Sequence, residues 1–212
     1  MNGNDELLEA EQGVASFLAL GDSYTIGEKV DSAARWPVQL ARSLRTAGVK
    51  IGDPLIVAKT GWTTDELSAG IEKAAVKGTY AMVSLLIGVN NQYRGRPAEE
   101  YREQFRTLLD EAIGYAGGKS SRVIVLSIPD WGVMPFAQGR DRAKIGREID
   151  QFNAIGKEES DRAGANWVDI TPASRGMKEG WAASDGLHPS GDQYAAWAAL
   201  ALEPAKKALA AK

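Results

Sequence analysis

The sequence predicts a doubly wound α/β domain, with helices on both faces of about five parallel strands. Two observations carry this expectation. Five apolar runs show little of the polar/apolar alternation of a half-exposed strand, the pattern of strands buried on both faces of a parallel sheet. Between each run and the next lies a segment with helical spacing. Size agrees, because 212 residues with 44% hydrophobic side chains suffice for one domain with a full core.

In chain order the runs are "SFLALG" (16–21), "LIVAK" (55–59), "AMVSLLIG" (81–88), "RVIVLSI" (122–128) and "NWVDI" (166–170). The first helix, "WPVQLARSLRTAG" (36–48), stops at Gly48, and the second (63–78) opens on a capping box of Thr63 and Glu66. The third (96–118) carries Pro97 in its first turn. A fourth covers about 140–163, and the last runs from Ser190 toward the C-terminus, disturbed near Pro204. Ser190, Gly191, Asp192 and Gln193 read as its capping box. No linker or repeat divides the chain, so residues 1–212 read as one three-layer, flavodoxin-like domain with 1–15 as a peripheral segment.

Composition removes several function classes. Lys+Arg 25 against Asp+Glu 28, a net of -3, leaves no basic field to hold nucleic acid or anionic lipid. Without cysteine there are no disulfides, no thiolate catalysis and no cysteine-ligated metal. The start "MNGNDELLEAEQGVA" lacks the n- and h-regions of a secretory signal, which reads as cytoplasmic unless a leader has been removed. The longest apolar run, "YAMVSLLIGV", falls short of the roughly 20 residues that cross a bilayer.

In doubly wound sheets ligands bind outside the carboxyl ends of the strands, so site residues must follow strands. After the first comes "GDSYTIG", where Ser23 is placed as an exposed nucleophile is held, although Asp22, Ser23 and Thr25 would also serve as helix caps. The second glycine of G-x-S-x-G is missing, which argues against the α/β-hydrolase elbow. His188, the only histidine, stands on the loop entering the last helix in "SDGLHPSGDQY". Asp185, three residues earlier, can accept from one imidazole nitrogen and leave the other facing a hydroxyl. Gly61 in "KTGWTTDEL" and Asn90 in "GVNNQYRG" follow the second and third strands and offer donors to developing negative charge. Singly, Gly61 reads as a turn residue and Asn90 and Asn91 as loop formers; together with Ser23, Asp185 and His188 they form a constellation. A metal is not expected, with one histidine and no cysteine to hold it.

These blocks resemble the SGNH hydrolases, or GDSL-type esterases and lipases, with "GDSYT", "KTGWT", "GVNN" and "DGLHP" in the family's order from about residue 16 to the last helix. The resemblance implies Ser23 as nucleophile, His188 as general base and Asp185 as its partner. It implies an oxyanion hole of the Ser23 and Gly61 backbone N–H groups and the Asn90 side chain, with no cofactor and a small-molecule ester as substrate. The chain departs in carrying Tyr24 where the family often has Leu, and Asn91 where it often has Asp. "GDSYTIGE", "RWPVQLA", "TGWTTDEL" and "LIGVNNQYRG" look most like a bacterial branch of lysophospholipase-like esterases.

"IPDWGVMPFAQGRDR" follows the fourth strand and brings Trp131, Met134 and Phe136 toward the acyl group, unless these side chains only pack the loop; Trp62 and Tyr93 would narrow the pocket further. With no long amphipathic insertion to act as a lid, short acyl groups from acetyl to butyryl are expected. The rivals are a thioesterase, lysophospholipase or carbohydrate deacetylase using the same residues, a flavodoxin-like binding module without chemistry, and a metal phosphatase, for which paired aspartates are lacking.

Overall fold

Strand β1 (Phe17–Gly21) is buried along its whole length and has parallel neighbours on both sides. With β2 (Leu55–Ala58), β3 (Met82–Leu86), β4 (Val123–Leu126) and β5 (Asn166–Val168) it forms one all-parallel sheet in the order β2-β1-β3-β4-β5. The computed structural model describes residues 13–176 and 178–211. The N-terminal segment expected to be peripheral falls mostly outside them; Ala15, at its end, bridges to Ile51. β1, β3 and β4 are fully buried, whereas the edge strands β2 and β5 are partly exposed, which is why the first three show the least alternation.

Among the described residues eight α-helices connect or follow the strands: α1 (Ser23–Ile26), α2 (Trp36–Thr46), α3 (Thr64–Ala74), α4 (Val89–Tyr93), α5 (Ala98–Tyr115), α6 (Arg142–Ala163), α7 (Thr171–Arg175) and α8 (Gly191–Ala210). α2 packs on α8, and α8 in turn lies against β3, β4 and β5; α5 packs on α3, α6 and β3. Each long helix buries one face: Trp36, Leu40 and Leu44 on α2, Tyr101, Phe105, Leu108 and Ala112 on α5, and Trp197, Ala201, Ala205 and Ala208 on α8. Among the described residues no helix is long and apolar enough to cross a membrane.

Three local expectations need correction. Asn90 and Asn91 lie not in a loop but in α4, which starts after Gly88; the φ of 124° there, and the Tyr101 ring 2.5 Å from where a Cβ would sit, admit only glycine. α8 begins where expected, but without the capping box: among the described residues the buried Ser190 hydroxyl and both polar atoms of the Gln193 amide find no partner, and Gln193 lines a small cavity beside Tyr24 and Met134. α8 also runs through Pro204 to Ala210. The proline withdraws a donor from the Leu200 carbonyl, and Leu200 is 45% exposed, so water can replace the lost bond. The Thr63–Glu66 pairing does form, with the Glu66 carboxylate accepting from the Thr63 backbone N–H at 2.9 Å.

The order β2-β1-β3 gives the domain its crevice. Chain connections leave β1 toward one neighbour and return beside it as β3, so the segments after β1 and β3 diverge at a topological switch point, where such sheets bind ligands. Ser23 follows β1 and Asn90 follows β3.

Candidate active site

Ser23 is the first residue of α1. The first N–H groups of any helix lack intrahelical partners; the Asp22 carboxylate takes the one from Tyr24 at 3.0 Å. Among the described residues the N–H groups of Ser23 and Gly61 donate to no protein acceptor. Gly61 holds a φ of +85° in the turn before α3, and its carbonyl accepts from Arg94 at 2.7 Å. The Asn90 amide donates to the Trp62 carbonyl at 2.9 Å and, more weakly, to Asp22 Oδ2 at 3.5 Å, which fixes it between the first and second strand ends. Asn91 is fully buried and staples α4 to α3: its Oδ1 accepts from the Thr64 N–H at 3.1 Å and its Nδ2 donates to Thr64 Oγ1 at 2.7 Å. An uncharged amide suits that position, because it must both accept and donate.

The loop before α8 brings up the other half. Asp185 Oδ1 accepts from the backbone N–H groups of Leu187 and His188, both at 3.0 Å, while Oδ2 lies 2.6 Å from His188 Nδ1. Burial alone would raise the Asp185 carboxyl, but the hydrogen bonds from the His188 ring and from these two N–H groups outweigh it and hold it below the usual carboxylate range. An ionised carboxylate only accepts, so Nδ1 carries the proton and, in the neutral ring, Nε2 keeps its lone pair. The loop is pinned by hydrogen bonds from Ala183 N–H to the His188 carbonyl and from Phe136 N–H to the Gly186 carbonyl. Tyr24 meets the His188 ring edge-on, with centroids 6.0 Å apart.

Ser23, Asn90 and His188 line one cleft of about 170 Å³, walled by Tyr24, Val89, Tyr93, Trp131 and Leu187. The Ser23 hydroxyl makes no hydrogen bond among the described residues; in substrate-free sites such contacts are often long and tighten around substrate. Two larger grooves, of about 560 and 640 Å³, lie along the edge strands, but neither contains the single histidine. Among the described residues no group of three or more His, Asp or Glu gathers as a metal site.

The five expected pocket residues divide. Tyr93 and Trp131 wall the cleft with rings 5.3 Å apart. Phe136, 37% exposed, packs against Trp131 at the rim. Trp62 does not reach the cleft, because its ring lies on Gly70 of α3, where any Cβ would collide with the indole carbons. Met134 is buried behind Trp131, facing the small cavity that Gln193 enters.

The sequence matches the GDSL-like lipase/acylhydrolase family over residues 19–196. The chain belongs to that family. It is an ester hydrolase with an all-parallel, five-stranded sheet. Similar solved structures include TesA (TM-score 0.72, 18% identity, 91% of this chain and 99% of that one). Another is the psychrotrophic esterase EstA from Pseudoalteromonas sp., inhibited by monoethylphosphonate (0.66, 16%, 91% and 97%). A third is Axe2, an acetylxylan esterase from Geobacillus stearothermophilus (0.67, 19%, 94% and 96%). Likeness at these identities speaks for the fold. No curated protein matches the chain.

Several features of this GDSL-family cleft were not visible in the sequence. Gln92, buried on α4, accepts from the Trp131 indole N–H at 2.8 Å and donates to Glu148 at 2.7 Å, so a polar chain from α6 sets the wall. No local signal marks Gln92, since both partners are distant in sequence. Asp22 is another: burial pushes its carboxyl up to about 7, against the lowering effect of the N–H groups of Tyr24 and of Asp22 itself. A carboxyl raised in the folded state binds more protons there than in the unfolded chain between its ordinary value, about 4, and about 7, so stability falls as pH rises through that window. Asp22→Asn, which keeps an acceptor for Tyr24, should flatten the fall. The check is Tm against pH from 5 to 8 for both proteins; parallel curves would show that Asp22 titrates at an ordinary value.

Proposed function

We propose that this family member cleaves short-acyl carboxylic esters through an acyl-enzyme on Ser23. The observation that carries the reading is the 2.6 Å Asp185–His188 pair facing the same cleft as Ser23 at the switch point of the sheet. His188 Nε2 takes the Ser23 proton as Oγ attacks the ester carbonyl. The oxyanion is received by the Ser23 and Gly61 N–H groups and the Asn90 amide. His188 returns the proton to the departing alkoxide as the C–O bond breaks; a water deprotonated by His188 then attacks the acyl carbonyl, the bond to Ser23 Oγ breaks, and His188 gives that proton to Oγ as the acid leaves. Tyr24 does not compete as a base, because burial, reinforced by Asp22, Asp130 and Asp185, drives its phenol well above the usual range.

The size of the cleft supports the short-acyl preference. About 170 Å³ walled by Val89, Tyr93 and Trp131 is too small to enclose a fatty chain, whereas sites that enclose drug-sized ligands run to about 300–1,000 Å³. This weighs against a lysophospholipase, although the sequence blocks look like that branch, and leaves a carbohydrate deacetylase as the nearest variant on the same residues. With p-nitrophenyl esters from acetate to palmitate, kcat/KM should peak between acetate and butyrate, and Trp131→Ala should move the optimum to longer chains. A wild-type optimum at octanoate or beyond would refute the short-acyl reading.

A further inference from the structure

Arg140 lies against two of the rings that wall this cleft, with its charge unengaged by any carboxylate among the described residues. Its guanidinium lies over three aromatic rings, 5.5 Å from the centroid of Tyr93, 5.4 Å from Trp131 and 4.7 Å from Phe136. Among the described residues it forms no salt bridge, and its one side-chain hydrogen bond, to the Tyr93 hydroxyl, is 3.5 Å long. Arg94, on the Gly61 side, is by contrast paired with Glu66 at 3.3 Å. A guanidinium held against aromatic rings with no carboxylate partner keeps N–H donors free, in the fork that fits a carboxylate or phosphate. Two of the rings beneath it, Tyr93 and Trp131, are walls of the cleft. A part of a substrate that leaves the cleft over Tyr93 and Trp131 comes within reach of Arg140.

We infer that Arg140 is a specificity-determining residue that selects esters bearing an oxyanion, a carboxylate or phosphate, on the portion projecting from the cleft. This rests on the reading of Ser23 and His188 as the ester-cleaving pair and adds the substrate class. The carboxylates nearest the reacting groups do not cancel it. Asp185 is held by His188, Asp22 is buried, and Glu28 is hydrogen-bonded to Thr60.

The test uses acetate esters of four phenols: unsubstituted, and with a para carboxylate, phosphate or trimethylammonium group. kcat/KM is measured at low salt for wild type, Arg140→Gln, Arg140→Lys and Arg140→Glu. Comparing each anionic-to-cationic ratio between proteins cancels the intrinsic reactivity of the esters. The ratio should fall about five- to tenfold in Arg140→Gln, change little in Arg140→Lys, invert in Arg140→Glu and shrink for wild type at high salt. The carboxylate and phosphate arms show which oxyanion is preferred. Equal ratios in wild type, Arg140→Gln and Arg140→Glu would overturn the inference while leaving ester cleavage standing. Failure of wild type to cleave any of the four, or cleavage undiminished in Ser23→Ala, would overturn both.

Discussion

His188→Ala should lose hydrolysis of activated esters by on the order of 10⁴-fold or more in kcat/KM while keeping its fold. The size follows from His188 being the only imidazole in the chain, so no neighbour can take the proton. Folding should survive, because the hydrogen bonds that shape the loop run through backbone atoms that alanine retains. Asp185 Oδ1 keeps the N–H groups of Leu187 and His188, and Ala183 N–H keeps the His188 carbonyl. The Asp185 carboxylate left behind has a side chain 24% exposed, so water can take the place of the imidazole. Its stability cost should then be about that of one hydrogen bond, on the order of 1 kcal/mol. Hydrolysis rates with circular dichroism and Tm separate the two effects; near wild-type turnover in a folded variant would remove His188 from the chemistry.

The fold was legible in the sequence where burial is uniform. β1, β3 and β4 are covered on both faces and show it as unbroken apolar runs, and α2, α5 and α8 declare their buried faces at helical spacing. α1, α4 and α7 were missed because four or five residues cannot display a helical period. Their position is set instead by what precedes them, as Gly88 does for α4.

The Asp185–His188 pair was legible because both residues sit in one four-residue turn, where they meet at 2.6 Å. The walls were less so. Sequence proximity to an oxyanion donor suggested both Trp62 and Tyr93, but side-chain direction depends on packing: α3 offers Trp62 a bare glycine surface, and Tyr93 turns to Trp131 instead. Arg140 escaped notice because its rings come from α4 and from the segment after β4, brought together only in three dimensions.

Ser23→Ala should abolish ester hydrolysis to a comparable degree, since the other hydroxyls among the residues lining the cleft are two phenols, that of Tyr24, held neutral by burial, and that of Tyr93, which accepts from Arg140. The loss should be in kcat, because the walls that bind the acyl group are untouched. Ser23 is 5% exposed and so reachable only through the cleft. The nucleophile can be read directly by incubating wild type and Ser23→Ala with an organophosphonate such as an ethyl p-nitrophenyl phosphonate and measuring intact mass. One phosphonyl adduct on wild type and none on Ser23→Ala is the predicted result. An adduct of equal yield on Ser23→Ala, or an unlabelled wild type that still hydrolyses esters, would contradict it.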